Sequence, residues 1–254
     1  MIEYARKGLI GVLTPQANTT VEPELSILLP PGYAFLNARM VSEKPTMEGR
    51  LGDYFSTMGS CLSQFANAPV GAFAFACTGA SYLEGAERER AAVEAIEAAQ
   101  GVRFLTAGRA VAEALHRIGA RRVALVSPYP PALTKASVAY WEGHGQKIVA
   151  VATAFNAASD FHPIYSLPES AARDAQAGID IAGVDAVVLL GTGMPTLGPI
   201  LAHTRDSDVP ILSCMSALAW QALAVFDPDL AEESAMRRYF AGEGWRERYD
   251  RAMS

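Results

Sequence analysis

This chain uses one pattern twice. The run FAFACTG (73–79) ends in Cys77-Thr78-Gly79, and VVLLGTG (187–193) ends in Gly191-Thr192-Gly193. A longer pair encloses them. GLIGVLTPQANTTVEPEL (8–25) parallels RRVALVSPYPPALTKASV (121–138), each an apolar run, a proline (Pro15 or Pro128), a polar loop and a helix-like segment. The remaining apolar runs, at 33–40, 70–76, 102–107, 122–127, 148–154, 185–190 and 209–214, read as strands. Helix-like spacing covers 84–100, 108–118, 134–142, 169–181 and 217–225. Strands and helices that alternate imply parallel sheets covered by helices, and strands apolar throughout imply burial on both faces. The expected fold class is α/β: two similar lobes with parallel sheets related by a pseudo-two-fold, and a cleft between them. The expected division is 1–107 plus about 211–254 for the first lobe and 108–210 for the second, with the last helix crossing back. Ligands in open α/β sheets bind beyond the carboxyl ends of strands. Both Gly-containing turns and both proline loops lie at such ends.

Composition excludes several functions. The formal net charge of −6 and the absence of a Lys/Arg block leave no basic surface for a phosphate backbone, so no nucleic-acid partner is expected. No apolar run approaches the roughly 18 residues that span a bilayer, and the N-terminal MIEYARKGLIGVL lacks the pattern of a signal peptide. Three cysteines, Cys61, Cys77 and Cys214, are too few and too odd for a disulfide framework. A reducing, cytoplasmic location is expected. Four scattered histidines and no CxxC leave no metal-ligand spacing.

Cys77 leads the candidate residues. A free cysteine is most often a small buried hydrophobe. This one ends a strand and opens a helix, where unpaired N–H groups favour a thiolate and lower its pKa. The N–H groups of Thr78, Gly79 and Ala80 offer a cradle for a carboxylate or oxyanion. Gly191, Thr192, Gly193 and Met194 form the partner turn; with Thr196 where a third glycine would be needed, it is no dinucleotide fingerprint. Pro15, Gln16 and Asn18 precede a helix, where Asn and Thr commonly serve as caps, and at a strand end in the cleft an Asn amide can equally hold a carboxylate. Tyr129 occupies the matching loop of the other lobe and can donate to a carboxylate or enediolate. Tyr82 and Cys214 are possible lining residues, Cys61 reads as core, and 155–165 as a mobile segment over the cleft.

PQANTTVE, ACTG, GARRVALVSPYPPALTKASVAYWEGHG (119–145) and DAVVLLGTGMPTL (185–197) together resemble the Asp/Glu racemase superfamily, in its maleate cis–trans isomerase and arylmalonate decarboxylase branch. The resemblance spans residues 8 to about 225. It implies two flavodoxin-like lobes, no cofactor, no metal, a small carboxylate substrate and a homo-oligomer, a dimer or higher. It makes Cys77 the nucleophile, and Asn18 and Tyr129 ligands of the substrate carboxylate. Its second-lobe cysteine would fall at Gly191 or Thr192, neither of which is a thiol. A two-base racemase needs groups on both faces of one carbon, so a single thiol points elsewhere: to cis–trans isomerisation by addition and elimination, or to decarboxylation with Cys77 as proton donor. A non-catalytic carboxylate-binding protein is the remaining class.

Overall fold

In the computed structural model, which describes residues 2–157 and 162–254, the two repeats become two sheets of the same design. The first contains β1 (Gly8–Pro15), β2 (Tyr33–Met40), β3 (Ala72–Phe75) and β4 (Arg103–Thr106), in the order β2-β1-β3-β4. The second contains β5 (Arg122–Ser127), β6 (Lys147–Thr153), β7 (Ala186–Leu189) and β8 (Ile211–Ser213), in the order β6-β5-β7-β8. Every pairing is parallel. The likeness extends to single bonds. Just past the strands, Ala76 N donates to Leu13 O and Leu190 N to Val126 O, both at 2.9 Å. β1, β3 and β7 are buried along their whole length, as their continuous apolar character requires, whereas the edge strands β2 and β6 are largely half-buried.

The helices depart from the sequence reading in a few places. The helix expected over 84–100 is α4 (Ala86–Gln100), which begins two residues later because Gly85 separates it from α3 (Thr78–Glu84), the helix that Cys77 opens. After α6 (Pro131–Gly143), the helix expected over 169–181 is α7 (Glu169–Ala177), which stops before Gly178 and is followed by α8 (Leu197–Asp206). The helix expected over 217–225 begins earlier, at Cys214, where Ser213 and Ser216 exchange side-chain and backbone bonds in a capping box. α2 (Met47–Cys61) starts where the Thr46 side chain accepts from Gly49 N, and it buries Leu51, Tyr54, Phe55 and Met58. Beyond residue 225 the chain adds two short helices, Glu233–Phe240 and Arg246–Met253. Arg248 of the last one donates to the Ile27 and Leu28 carbonyls at the end of α1 (Val21–Leu28).

The lobes are tied by the helices that follow their last strands. α5 (Ala107–Arg117) follows β4, and α9 (Cys214–Phe226) follows β8; the two pack on each other. α9 also lies against β1, β3 and β4 of the first sheet. β8 belongs to the second sheet, so that sheet runs to Ser213, past the expected change of lobe near 211. Among the described residues no helix is long and apolar enough to cross a membrane.

Candidate active site

Four segments meet at the carboxyl ends of the central strands. Pro15, Gln16 and Ala17 follow β1, Cys77-Thr78-Gly79 follow β3, Tyr129 follows β5, and Thr192-Gly193 follow β7. Together with Met47, Arg50, Leu51 and Tyr54 of α2, and with His162, Ile164 and Tyr165, they enclose a cavity of about 160 Å³. That is below the range of about 300–1,000 Å³ that holds drug-sized ligands, and it suits a short-chain acid.

The seam between the lobes is built of polar side chains that satisfy backbone groups across it. Thr192 Oγ1 donates to Ala76 O at 2.8 Å, Thr20 Oγ1 to Gly193 O at 2.8 Å, and Asn18 Nδ2 to Thr192 O at 3.2 Å. The buried Glu24 carboxylate accepts from Thr196 N at 2.6 Å. These bonds hold the two glycine-containing turns at a set distance. They also account for Asn18. Its Oδ1 accepts from Thr20 N (2.8 Å) and Val21 N (3.1 Å), so this side chain caps α1 and straps the lobes. It does not line the cavity.

Cys77 lines the cavity and is 4% exposed. The expected depression of its pKa is not what the surroundings produce. Burial pushes the thiol up to about 12, and one N–H, that of Ala80, opposes the shift. Removing a thiolate from water outweighs a single donor, so the resting side chain is a neutral thiol. Tyr129 is likewise kept protonated. Burial first, then the neighbouring Cys214, hold its phenol well above 10, while the Thr78 hydroxyl bonded to it at 2.8 Å lowers it in part. Among the described residues no three His, Cys, Asp or Glu side chains converge as a metal site.

Gly191 is one of the two positions, with Thr192, where the resemblance puts a second thiol, and the structure explains the glycine. Its φ is +84°, and a Cβ built there would stand 3.0 Å from Pro128 Cγ and 3.3 Å from the Tyr129 hydroxyl. The Tyr129 ring end fills the space that a second-lobe side chain would need. Cys214, which ends β8's neighbourhood as the first residue of α9, lies behind this point. Its Sγ is 3.9 Å from Tyr82 Oη, and burial raises its thiol to about 11.

The structure thus brings Pro15, Gln16, Cys77, Thr78, Gly79, Tyr129, Thr192 and Gly193 to one cavity. Asn18, Gly191, Met194, Tyr82 and Cys214 stand outside its lining. For Tyr82 the reason is an aromatic cluster with Tyr129, Tyr140 and Trp141, which holds it in the core. Part of the segment expected over the cleft, 158–161, lies outside the described residues. Its described end supplies His162, Ile164 and Tyr165, and the Tyr165 ring lies so close over Gly193 that a Cβ there would come within 2.4 Å of it. Sequence reading missed the face of α2 altogether. Met47, Arg50, Leu51 and Tyr54 fall at i, i+3, i+4 and i+7, a helical signal present in the sequence that names a buried face and not what it faces.

Fold and cavity together define a two-lobed α/β protein whose site is assembled from loops of both halves around a first-lobe thiol. The chain belongs to the arylmalonate decarboxylase family, whose model matches residues 10–239. Its curated relatives include the maleate isomerase of Nocardia farcinica, 30% identical over 90% of this chain and 94% of that protein, and that of Pseudomonas putida, 26% identical over 86% and 91%. Among solved structures it is similar to a cysteine-to-serine mutant of the Nocardia farcinica maleate cis–trans isomerase that carries a covalently bound succinylcysteine intermediate. The TM-score is 0.76 at 28% identity, with 87% of this chain and 93% of that chain covered.

Proposed function

We propose that this enzyme converts a cis-unsaturated short dicarboxylate, maleate or a close analogue, to its trans isomer, with Cys77 as nucleophile. The observation that carries this reading is that Cys77 is the one thiol lining the cavity, while Gly191 stands at the matching place in the second lobe. A succinyl group attached to a cysteine, as in the Nocardia farcinica mutant, is the adduct such a thiol would form.

The chemistry closes on itself. Cys77 Sγ bonds one olefinic carbon, and the π pair moves to the other carbon and into its carboxylate. Tyr129 gives its proton to that carbon and takes the proton leaving the Cys77 S–H, which completes a saturated thioether, so the net change is addition of S–H across the double bond. The former double bond is now free to rotate. Loss of that proton and expulsion of sulfur return the thiol and the trans alkene, with no proton gained or lost overall. Tyr129, still protonated at neutral pH and positioned beside Gly191, is the proton donor from the second-lobe side. The N–H groups at the start of α3, with the Thr78 hydroxyl, are the donors at this end for the charge that develops on the carboxylate.

Proton NMR of the purified protein with maleate, and separately with phenylmalonate, tests this. Fumarate signals that grow from maleate and vanish in Cys77→Ala are the expected result. Phenylacetate formed from phenylmalonate, with maleate untouched, would transfer the protein to the decarboxylase reading.

A further inference from the structure

We propose that Arg50 makes this site selective for dicarboxylates by pairing with the carboxylate farther from Cys77. The inference rests on the isomerase reading above and adds the residue that recognises the second charge.

The cavity has two ends. The Thr78 and Tyr129 hydroxyls, bonded to each other at 2.8 Å, stand with Cys77 at the ends of β3 and β5, whereas Arg50 enters the cavity from α2. Cys77, Thr78 and Tyr129 therefore form the reacting end, and Arg50 the end that α2 supplies. Among the described lining residues Arg50 is the sole Arg or Lys, and none is an Asp or Glu. His162 adds no charge near neutral pH, since burial first and Arg50 second push it down to about 4.

The guanidinium is held from outside the site. Nη1 donates to the Lys44 and Pro45 carbonyls, at 3.2 and 3.1 Å, which anchors the side chain to the loop preceding α2. Among the described residues it has no carboxylate partner, unlike Arg39, which pairs with Glu22, or Arg103, which pairs with Glu97. Among the described residues its Nε and Nη2 donate to no protein group. A half-buried arginine facing a cavity without a counter-ion loses hydration when an uncharged ligand end packs on it, and gains charge-assisted, bidentate bonds when a carboxylate does. An arene or alkyl group at this end would leave the charge unpaired. The cavity volume of about 160 Å³ leaves room for a short carbon chain between the two ends.

Titration calorimetry with succinate and with butyrate tests the pairing, because these unreactive four-carbon acids differ at the distal carboxylate and neither requires turnover. The wild type should bind succinate about 10- to 100-fold more tightly than butyrate, the range expected of hydrogen bonds to a charged group. Arg50→Gln should erase that preference by weakening succinate and, with no charge left to desolvate, binding butyrate at least as well, and Arg50→Lys should restore part of it. Circular dichroism of both variants checks that they are folded. Equal affinity for the two acids in the wild type, or a succinate preference that survives in Arg50→Gln, would overturn the proposal. If maleate is not isomerised but the succinate preference is present and depends on Arg50, the recognition stands and only the reaction is wrong.

Discussion

Glu24 gives the sharpest thermodynamic expectation. It is 5% exposed, on α1 of the first lobe, and its carboxylate accepts from Thr196 N at 2.6 Å and from Thr196 Oγ1 at 3.1 Å, at the start of the helix that follows the Gly191 turn. Burial raises its pKa from 4.5 to about 7 against the lowering effect of the Thr196 and Leu197 donors, and the nearby Glu169 raises it further. The folded state therefore holds this proton more tightly than the unfolded chain does. Stability is greatest below pH 4.5, falls as the pH rises to about 7, and then levels off. At about 1.4 kcal/mol per pH unit the loss is about 3 kcal/mol. His162 acts in the opposite sense in much the same window, because its pKa is lowered and its neutral form is favoured by folding. The wild-type profile alone is thus a sum of opposed trends, and the informative quantity is the difference from Glu24→Gln. The glutamine carbonyl can still accept from Thr196, but it has no charge to desolvate. Scanning calorimetry at a series of pH values should find Glu24→Gln gaining on the wild type by about 3 kcal/mol between pH 4.5 and 7.5. For a domain of this size that is about 10 °C in Tm. Tm curves that run parallel across this range would refute the reasoning, and would mean that water or local relaxation already solvates the carboxylate.

Two further outcomes follow from the site. Gly191→Ala places a Cβ in the left-handed region against Pro128 and Tyr129, and should cost about 1–2 kcal/mol from the backbone alone, a fall of about 2–8 °C in Tm by thermal melt; an unchanged Tm would show that the turn does not require a positive φ at this position. Cys77 should react with iodoacetamide slowly at pH 7 and about tenfold faster per pH unit up to at least pH 10, as its thiol near 12 requires. A rate that levels off near neutrality, followed by mass spectrometry of the Cys77 peptide, would show instead a thiolate already present in the free enzyme.

Much of the architecture was legible because it is written in local, repeated chemistry. Apolar runs with a proline at the end must be strands feeding loops, and the same unit used twice predicts two like sheets; hence Cys77, Tyr129 and Thr192 could be expected near one cleft from strand ends alone. Which of those neighbours turn inward was not legible. Asn18 sits in the expected loop, but its amide is committed to Thr20, Val21 and Thr192, and a sequence cannot show that a donor is already used. The α2 face with Arg50 and Tyr54 reads as an amphipathic helix in any context; only packing against the strand ends of both lobes makes it a wall of the cavity. The sign of the Cys77 shift belongs to the same class. Helix-terminal N–H groups are encoded locally and favour the thiolate, but burial is contributed by residues far along the chain, and desolvation is the larger effect. Sequence by itself determined the strands, the repeat and the thiol at the end of β3, because these depend on residues adjacent in the chain. Tertiary structure decided which polar groups are spent, which are desolvated and which charge faces the ligand, because each of these depends on what the other lobe brings within a few ångströms.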